Sequence, residues 1–160
     1  MRVFDASSMI YAWDNYPIGQ FPGLWEWMAG QIVSQQLAMP SVAFEEVSHK
    51  MPECGEWLKD NNLERLEINN AVLQDAKRIK GLLGILDDNY HPKGVGENDI
   101  LIIATARQHG AELVSDEERQ TNLPQVSSKR KIPAVCAMQT VSVSCINFIE
   151  YIKASGAIFR

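Results

Sequence analysis

The chain has 160 residues, of which 46% are hydrophobic and 22% charged. These proportions are typical of a folded globular protein and argue against disorder. The length predicts a single domain over residues 1–160. The formal net charge of −5 disfavours binding to nucleic acid by charge alone. It still allows a protein that acts on nucleic acid through metal ions held by a few acidic residues.

Cysteine content and hydropathy indicate the cellular compartment. The three cysteines, Cys54, Cys136 and Cys145, form no CxxC pair. This pattern excludes a disulfide framework or a cysteine-rich zinc site and fits a reducing environment. No apolar run reaches the roughly 18 residues of a membrane span, and the N-terminal residues do not resemble a signal peptide. We therefore expect a cytoplasmic protein with no membrane partner.

Short apolar runs alternate with helical patterns along the chain, without repeats or linkers. Strands are predicted at residues 1–4, 37–39, 63–68, 111–115 and 141–145. Helices are predicted at residues 7–13, 22–35, 41–49, 70–86, 99–108 and 148–154. Strands that alternate with helices predict an α/β protein, with helices on both faces of a small parallel, Rossmann-like sheet in a three-layer α/β/α arrangement.

Helix caps and buried faces follow from local patterns. Ser41, Asn98 and either Asn69 or Asn70 are expected to cap three helices. Trp27 lies on an apolar stripe and is expected in the core, whereas Trp25 is better placed for exposure or a partner, although a core or interface role is still favoured. The clearest stripe predicts that one helix face is buried through Val72, Leu73, Ala76, Ile79, Leu83 and Leu86.

Carboxylates follow the predicted strands and open the predicted helices. Asp5 ends the first strand, Glu46 lies in the helix after the second, and Asp99 opens a later helix; Asp116 and Glu117 follow the fourth strand. Ligands bind beyond the carboxyl ends of parallel strands, so we expect these segments to meet there. Clustered carboxylates repel one another unless a cation offsets their charge, and an all-oxygen set suits Mg²⁺ or Mn²⁺. Taken alone, Asp99 is more typical of a helix's first turn, and Glu46, Asp116 and Glu117 are more typical of a solvated surface. Asp5 differs, because an acid at the end of a buried strand needs a partner.

Three segments of this sequence resemble the motifs of the PIN domain. This is the fold of metal-dependent ribonucleases, among them bacterial toxins of the virulence-associated protein C (VapC) type. VFDASSMIYAWD resembles the first motif, a strand that ends in Asp and is followed by a small hydroxyl residue. MPSVAFEEV resembles the second and favours Glu46 over Glu45, and GENDILIIATARQHGAELVSDEE resembles the third and fourth run together. The motifs occur in the family's order between residues 3 and 118. The C-terminal segment that begins with KIPAVC resembles the corresponding segment of one branch of PIN-like proteins.

The resemblance implies a metal-dependent endoribonuclease that hydrolyses RNA phosphodiesters. Asp5, Glu46 and Asp99 would hold a catalytic Mg²⁺ or Mn²⁺. The fourth acid is either Asp116 or Glu117. The family places this acid two residues after a Ser or Thr, which points to Glu117, whereas Asp116 directly follows the serine.

The resemblance also implies supporting residues and partners. Ser7 and Ser115 would orient the carboxylates through hydrogen bonds. The family further implies the toxin of a type II toxin–antitoxin pair, neutralised by a cognate antitoxin protein and forming a homodimer. RNA is the implied substrate, and nothing in the sequence firmly excludes DNA.

Other readings of the sequence stay open. The basic run Lys129-Arg130-Lys131 is either a solvated loop or a contact to nucleic-acid phosphates. A PIN-like protein that binds RNA or a partner without cutting is one alternative function. A receiver-like phosphate switch is another, because it shares an acid after the first strand and a late Lys-Pro-like element. The phosphoacceptor Asp that a receiver needs after its third strand is missing from residues 66–70.

Overall fold

The computed structural model describes all 160 residues and confirms the alternation of strands and helices. A single 3-10 turn, at Ser127–Lys129, precedes the seventh helix. In chain order the elements are β1 (Arg2–Phe4), α1 (Ala6–Asn15), α2 (Pro22–Val33), β2 (Leu37–Pro40), α3 (Ser41–Lys50), α4 (Pro52–Asp60), β3 (Glu64–Leu66), α5 (Asn70–Leu82), α6 (Glu97–Gln108), β4 (Glu112–Val114), α7 (Ile132–Cys136), β5 (Cys145–Ile146) and α8 (Phe148–Ser155). No helix combines the length and the hydropathy needed to cross a lipid bilayer.

The five strands form one parallel sheet in the order β3-β2-β1-β4-β5. Helices flank the sheet, which confirms the predicted three-layer α/β/α fold. Val3 of β1 lies in register between Ala38 of β2 and Leu113 of β4. The chain order along the sheet reverses between β1 and β4, so the ends of these strands form a topological switch point. Asp5 and Ser115 directly follow the two strands and lie at that point.

This strand order bears on the receiver-like alternative. A receiver has the flavodoxin-like order 2-1-3-4-5, in which the third strand lies beside the first. Here β3 lies at the edge of the sheet, next to β2 only. The order corresponds instead to the first five strands of the Rossmann arrangement. The receiver-like alternative is therefore wrong.

The core lies around the central strands. Parallel strands covered on both faces are apolar almost throughout, and Val3 and Phe4 of β1 are fully buried. Phe4 packs edge to face against Tyr151 of α8, with ring centroids 4.9 Å apart. It also approaches Phe148 at the start of the same helix. The last helix therefore closes the core over β1, beside the point where Asp5 emerges.

Several predicted boundaries were wrong near the edges of the fold. The last strand covers only Cys145–Ile146, because Ser142 adopts a positive φ of 50° that breaks the extended backbone before it. Helices α4 and α7 were not predicted, although each carries a proline in its first turn, where proline suits a helix start. Both are short, with nine and five residues, so neither extends over enough turns to reveal a helical periodicity.

Two of the predicted helix caps were also wrong. Ser41 is the first residue of α3 rather than its cap, and Pro40 precedes it. Asn98 lies inside α6, whose N-cap is Gly96. Asn69 caps α5 as predicted, since its side chain accepts a hydrogen bond from the Val72 N–H at 3.0 Å. Local sequence thus located three helix starts to within two residues.

The predicted burial of two helices needs correction. Leu73 and Leu86 are 47% and 73% exposed. Leu86 does not belong to the buried helix face, because α5 ends at Leu82 and Gly84 then turns the chain with a φ of +69°. In α2, Trp25 is 2% exposed, as the favoured core role predicted. Trp27, expected in the core, is only half-buried and packs against it.

Trp25 is therefore expected to contribute more to stability than Trp27. Its ring packs between Trp13 and Trp57, and its Nε1 donates a 2.7 Å hydrogen bond to the Tyr16 carbonyl. Trp25→Ala should lower the free energy of unfolding by about 4 kcal/mol, because it leaves a cavity and an unpaired carbonyl. Trp27→Ala should lower it by about half as much. Urea unfolding of both variants would measure the difference, and equal losses would contradict it.

Candidate active site

The candidate site is built around the Asp5 carboxylate, immediately after β1. Asp5 is 2% exposed. Its Oδ2 accepts hydrogen bonds from Ser7 Oγ at 2.7 Å and from Ser115 Oγ at 2.9 Å. Both bonds fall on the same oxygen, so Oδ1 makes no hydrogen bond within the chain. The two hydroxyls fix the orientation of the carboxylate and leave one oxygen available to an external ligand.

The two serines also tie the carboxylate to the end of β4. Ser7 Oγ accepts a hydrogen bond from the backbone N–H of Asp116 at 3.0 Å. Ser115 Oγ accepts one from the backbone N–H of Glu117 at 3.3 Å. Each hydroxyl therefore accepts a hydrogen bond from a backbone N–H and donates its own to Asp5. The positions of Ser7 and Ser115 are those expected of residues that orient this carboxylate.

Asp99 approaches the same region from the first turn of α6. Its Oδ2 accepts a 3.0 Å hydrogen bond from the Gly96 N–H and closes the N-terminus of the helix. Burial raises the pKa of Asp99, the Gly96 bond lowers it, and the charges of Glu117 and Glu46 raise it. Like Asp5, Asp99 keeps Oδ1 free of hydrogen bonds within the chain.

Glu46 of α3 completes the mouth of the site. It lines a polar cleft of about 330 Å³ together with residues 96–99 of α6. Glu46 is half-buried, whereas Glu45 is exposed. The Lys50 ammonium lies 3.4 Å from Glu46 one helical turn away, and an exposed pair of this kind contributes little to stability. The structure thus places Glu46, rather than Glu45, beside Asp99.

The two candidates for the fourth acid occupy different environments. Asp116 Oδ1 accepts hydrogen bonds from Ser8 Oγ at 2.8 Å and from the backbone N–H of Phe148 at 2.9 Å. Asp116 therefore links the end of β4 to α1 and to the first turn of α8. Glu117 makes no side-chain hydrogen bond, and its charge raises the pKa of both Asp5 and Asp99. The charge of Glu117 thus acts on both Asp5 and Asp99, whereas the carboxylate of Asp116 is held by hydrogen bonds.

The buried position of Asp5 shifts its protonation. Burial raises its pKa to about 7 from an ordinary value of 3.8, and the charges of Asp99 and Glu117 add to the shift. The hydrogen bonds from Ser7 and Ser115 act in the opposite direction. Carboxylates brought together without a counter-charge behave in this way. A cation bound at the site would displace the proton and stabilise the ionised form.

The donor chemistry fits a hard divalent cation, since every candidate ligand atom is a carboxylate oxygen. Across the whole chain, no group of three or more His, Cys, Asp or Glu side chains lies close enough together to hold a metal ion directly. Mg²⁺ is commonly bound through one or two carboxylates and keeps several of its waters. The free Oδ1 atoms of Asp5 and Asp99 match that mode of binding.

The basic run lies beside the N-terminus of α6. The Val95 N–H donates a 2.9 Å hydrogen bond to the Arg130 carbonyl, which joins the run to the segment that leads into Asp99. Lys131 lowers the pKa of Asp99. Gln120, which the sequence analysis missed, holds the run with both ends of its side-chain amide. An isolated Gln in a polar loop gives no signal by which a sequence pattern could find it.

Solved structures support the fold class. One that matches is the crystal structure of VapBC2 from Rickettsia felis bound to a DNA fragment from their promoter. The match covers 81% of this chain and 96% of that chain, with 17% sequence identity and a TM-score of 0.50. Similarity at this level of identity concerns the fold. The protein thus has a PIN-like fold, which confirms the predicted fold class.

The sequence also matches the model of one protein family. Residues 3–159 match the family described as "Domain of unknown function (DUF4411)", and the chain belongs to that family. No curated protein matches the sequence significantly.

Asp5 is expected to destabilise the metal-free protein at neutral pH. Its pKa is higher in the folded state, so the unfolded chain loses this proton first as the pH rises from about 4 to about 7. The free energy of unfolding should fall across that window and the loss should be complete above it. The shift corresponds to roughly 4 kcal/mol at full effect. Asp5→Asn keeps an acceptor for both serines and should unfold at a higher temperature than the wild type at pH 8 in EDTA.

The control for this measurement is the same comparison at pH 4, where both proteins carry a neutral side chain at position 5. The difference in melting temperature should shrink there, because the charge that the substitution removes is already absent. A wild-type protein more stable than Asp5→Asn at pH 8 without metal would contradict the assigned shift.

Asp116 and Glu117 are expected to differ in their effects on stability. Asp116→Ala removes the acceptor shared by Ser8 and the Phe148 N–H and should cost about 2 kcal/mol. Glu117→Ala removes a charge that repels Asp5 and Asp99, so stability without metal should stay the same or rise. Thermal unfolding of the two adjacent variants in EDTA measures both effects. Equal destabilisation would show that the two acids do not have separate roles.

Proposed function

We propose that this protein is a metal-dependent endoribonuclease that acts as a single domain over residues 1–160. The observation that carries the proposal is the convergence of acidic side chains from four separate segments at one switch point. Asp5 is buried and Asp99 is half-buried. Each has one oxygen held by hydrogen bonds and one free. A fold core that required only stability would not bury repelling carboxylates together. The acids are Asp5, Glu46, Asp99 and Glu117.

Mg²⁺ or Mn²⁺ is the cofactor that this donor set favours. Asp5, Glu46, Asp99 and Glu117 are the residues that would hold it. When bound, such an ion lowers the pKa of a water and stabilises the charge that develops on a phosphodiester. Asp116, the other candidate for the fourth acid, is engaged by hydrogen bonds to Ser8 and Phe148, so we assign it a positioning role.

The chain's own residues would perform the remaining tasks. Ser7 and Ser115 keep the Asp5 carboxylate oriented through every stage, because both donate to its Oδ2. Glu46 lines the open cleft and is placed to accept a proton from a water held there. Attack by water on the phosphodiester would leave 5′-phosphate and 3′-hydroxyl ends. DNA has the same reacting group, so the substrate test includes it.

The biological role that we infer is that of a toxin in a type II toxin–antitoxin pair. The support is the shared fold with a protein whose solved complex is called VapBC2. A cognate antitoxin would then be the protein partner, the toxin would form a homodimer, and both would act in the cytoplasm. Expression in cells with and without a neighbouring gene product tests this role separately from the enzymatic activity.

A second candidate function is binding to RNA or to a protein without cleavage. The observation in its favour is that the acidic side chains do not approach within direct coordination distance of a common ion. The two functions predict different responses to metal. A nuclease tightens its carboxylates around Mn²⁺ and becomes more stable, whereas a non-catalytic relative would show neither binding nor stabilisation.

Cleavage of a mixed pool of RNA by the purified protein in Mg²⁺ or Mn²⁺ is the direct test. Cleavage should stop in EDTA and should be abolished in Asp99→Asn, because a neutral amide is a much poorer ligand for a hard cation. Glu46→Gln should slow cleavage by about 100-fold. Glu45→Gln is its matched control, because it removes the same charge from an exposed neighbour on the same helix and should keep wild-type activity.

Retained cleavage by Asp99→Asn would point to a contaminating nuclease and defeat the assignment. A folded wild-type protein that neither cuts RNA or single-stranded DNA nor binds Mn²⁺ in calorimetry would favour the non-catalytic alternative. Equal activity in the Glu45 and Glu46 variants would remove Glu46 from the site.

A further inference from the structure

We propose that Lys131 binds a phosphate group of the RNA next to the carboxylate site and that Gln120 positions it there. The inference rests on the proposed nuclease function and adds to it the residue that offsets the charge of the substrate. The three basic residues of the run 129–131 are not equivalent in the structure. Lys131 is the residue of the run whose charge acts on Asp99.

The site carries an excess of negative charge that would repel a phosphate group. Four carboxylates surround the switch point, and the protein carries a net charge of −5. A single divalent cation offsets two charges at most, while an RNA phosphate brings another negative charge. A cation supplied by the chain at the edge of the cleft would lower the resulting repulsion.

Lys131 is in the right place for this task. The Val95 N–H donates a hydrogen bond to the Arg130 carbonyl, and this contact brings Lys131 close to Gly96. The Gly96 N–H in turn donates to the Asp99 carboxylate. Lys131 is half-buried and takes part in none of the chain's ion pairs. Its ammonium group therefore has no carboxylate partner at contact distance and is available to an external anion.

The neighbouring basic residue has different surroundings. The Nε atom of Arg130 is buried without a hydrogen-bond partner, so part of its side chain packs inside the protein. The backbone of the run is also pressed against the adjoining segment. A Cβ on Gly94 would lie 1.8 Å from the Ser128 carbonyl oxygen, so only glycine allows this approach. The run is thus fixed to the segment that leads into α6.

Gln120 fixes Lys131 from the other side. Its Nε2 donates to the Lys129 carbonyl at 3.1 Å, and its Oε1 accepts from the Lys131 N–H at 2.8 Å. The Lys131 carbonyl accepts a hydrogen bond from the Val135 N–H in the first turn of α7. Both backbone polar groups of Lys131 are therefore held, and only the side chain is free to move. This arrangement fixes the position from which the lysine side chain extends.

The test compares Lys131→Gln with Lys93→Gln. Both remove one positive charge, and Lys93 is an exposed residue of the adjoining segment. Lys131→Gln should weaken binding of single-stranded RNA in Ca²⁺ by about fivefold and reduce the slope of log Kd against log salt by about 0.7. It should raise KM for cleavage more than it lowers kcat. Lys93→Gln should match the wild type, and Lys131→Arg should restore binding.

Mn²⁺ affinity, measured by calorimetry without RNA, separates phosphate binding from a structural role. Removing a cation near Asp99 should leave Mn²⁺ binding unchanged or make it about twofold tighter. A damaged site would bind both Mn²⁺ and RNA more weakly. Gln120→Met, which loses both hydrogen bonds but keeps Lys131, should weaken RNA binding in the same direction and leave Mn²⁺ binding intact. Gln120→Glu, which keeps only the bond to the Lys131 N–H, serves if the first variant does not fold.

Each result has a definite consequence. If the wild type cuts RNA and Lys131→Gln behaves like Lys93→Gln, the assignment of Lys131 is overturned while the nuclease function stands. If Lys131→Gln loses Mn²⁺ binding together with RNA binding, its role is structural and the inference also fails. A wild type that neither binds Mn²⁺ nor cuts RNA would overturn both proposals.

Discussion

The buried carboxylate of Asp5 is the feature on which the site and much of the central sheet depend. A charged group at the end of a core strand loses its hydration, and the protein compensates with two hydroxyl donors on one oxygen. Those donors come from different segments, one after β1 and one after β4. The parallel pairing of Phe4 with Val114 brings the two segments together. The register of the sheet and the geometry of the site are therefore set by the same contacts.

Adjacent residues have different roles because of where β4 ends. Beyond Val114 the chain leaves the sheet, and successive side chains point to different neighbours. Ser115 turns toward Asp5, Asp116 binds Ser8 and the start of α8, and Glu117 contributes its charge to the site. One of these acids supports the scaffold and the other acts on the buried carboxylates. A one-residue change in register would exchange those roles.

The site illustrates the conflict between stability and function. Burial raises the pKa of both Asp5 and Asp99, and the charge of Glu117 adds to the shift, so the folded state is destabilised whenever no cation is present. The surrounding core is apolar and well packed, which lets the fold tolerate such a cluster. Membership of the DUF4411 family and a PIN-like fold place this arrangement within a known architecture. The chemistry that we assign to it follows from the carboxylates themselves.

The sequence by itself determined the α/β class, the parallel sheet and the acids that follow its strands, because hydrophobic periodicity and residues at strand ends are local signals. The resemblance to the PIN motifs pointed to Ser7 and Ser115, and both donate hydrogen bonds to Asp5 in the structure. The sequence did not find β5's true start or the exposure of Leu86, since single residues with positive φ interrupt the pattern there. Tertiary structure alone separated Asp116 from Glu117, left Trp27 half-buried, and joined Gln120 to Lys131. Each of these depends on contacts between segments far apart in the chain, which no local spacing records.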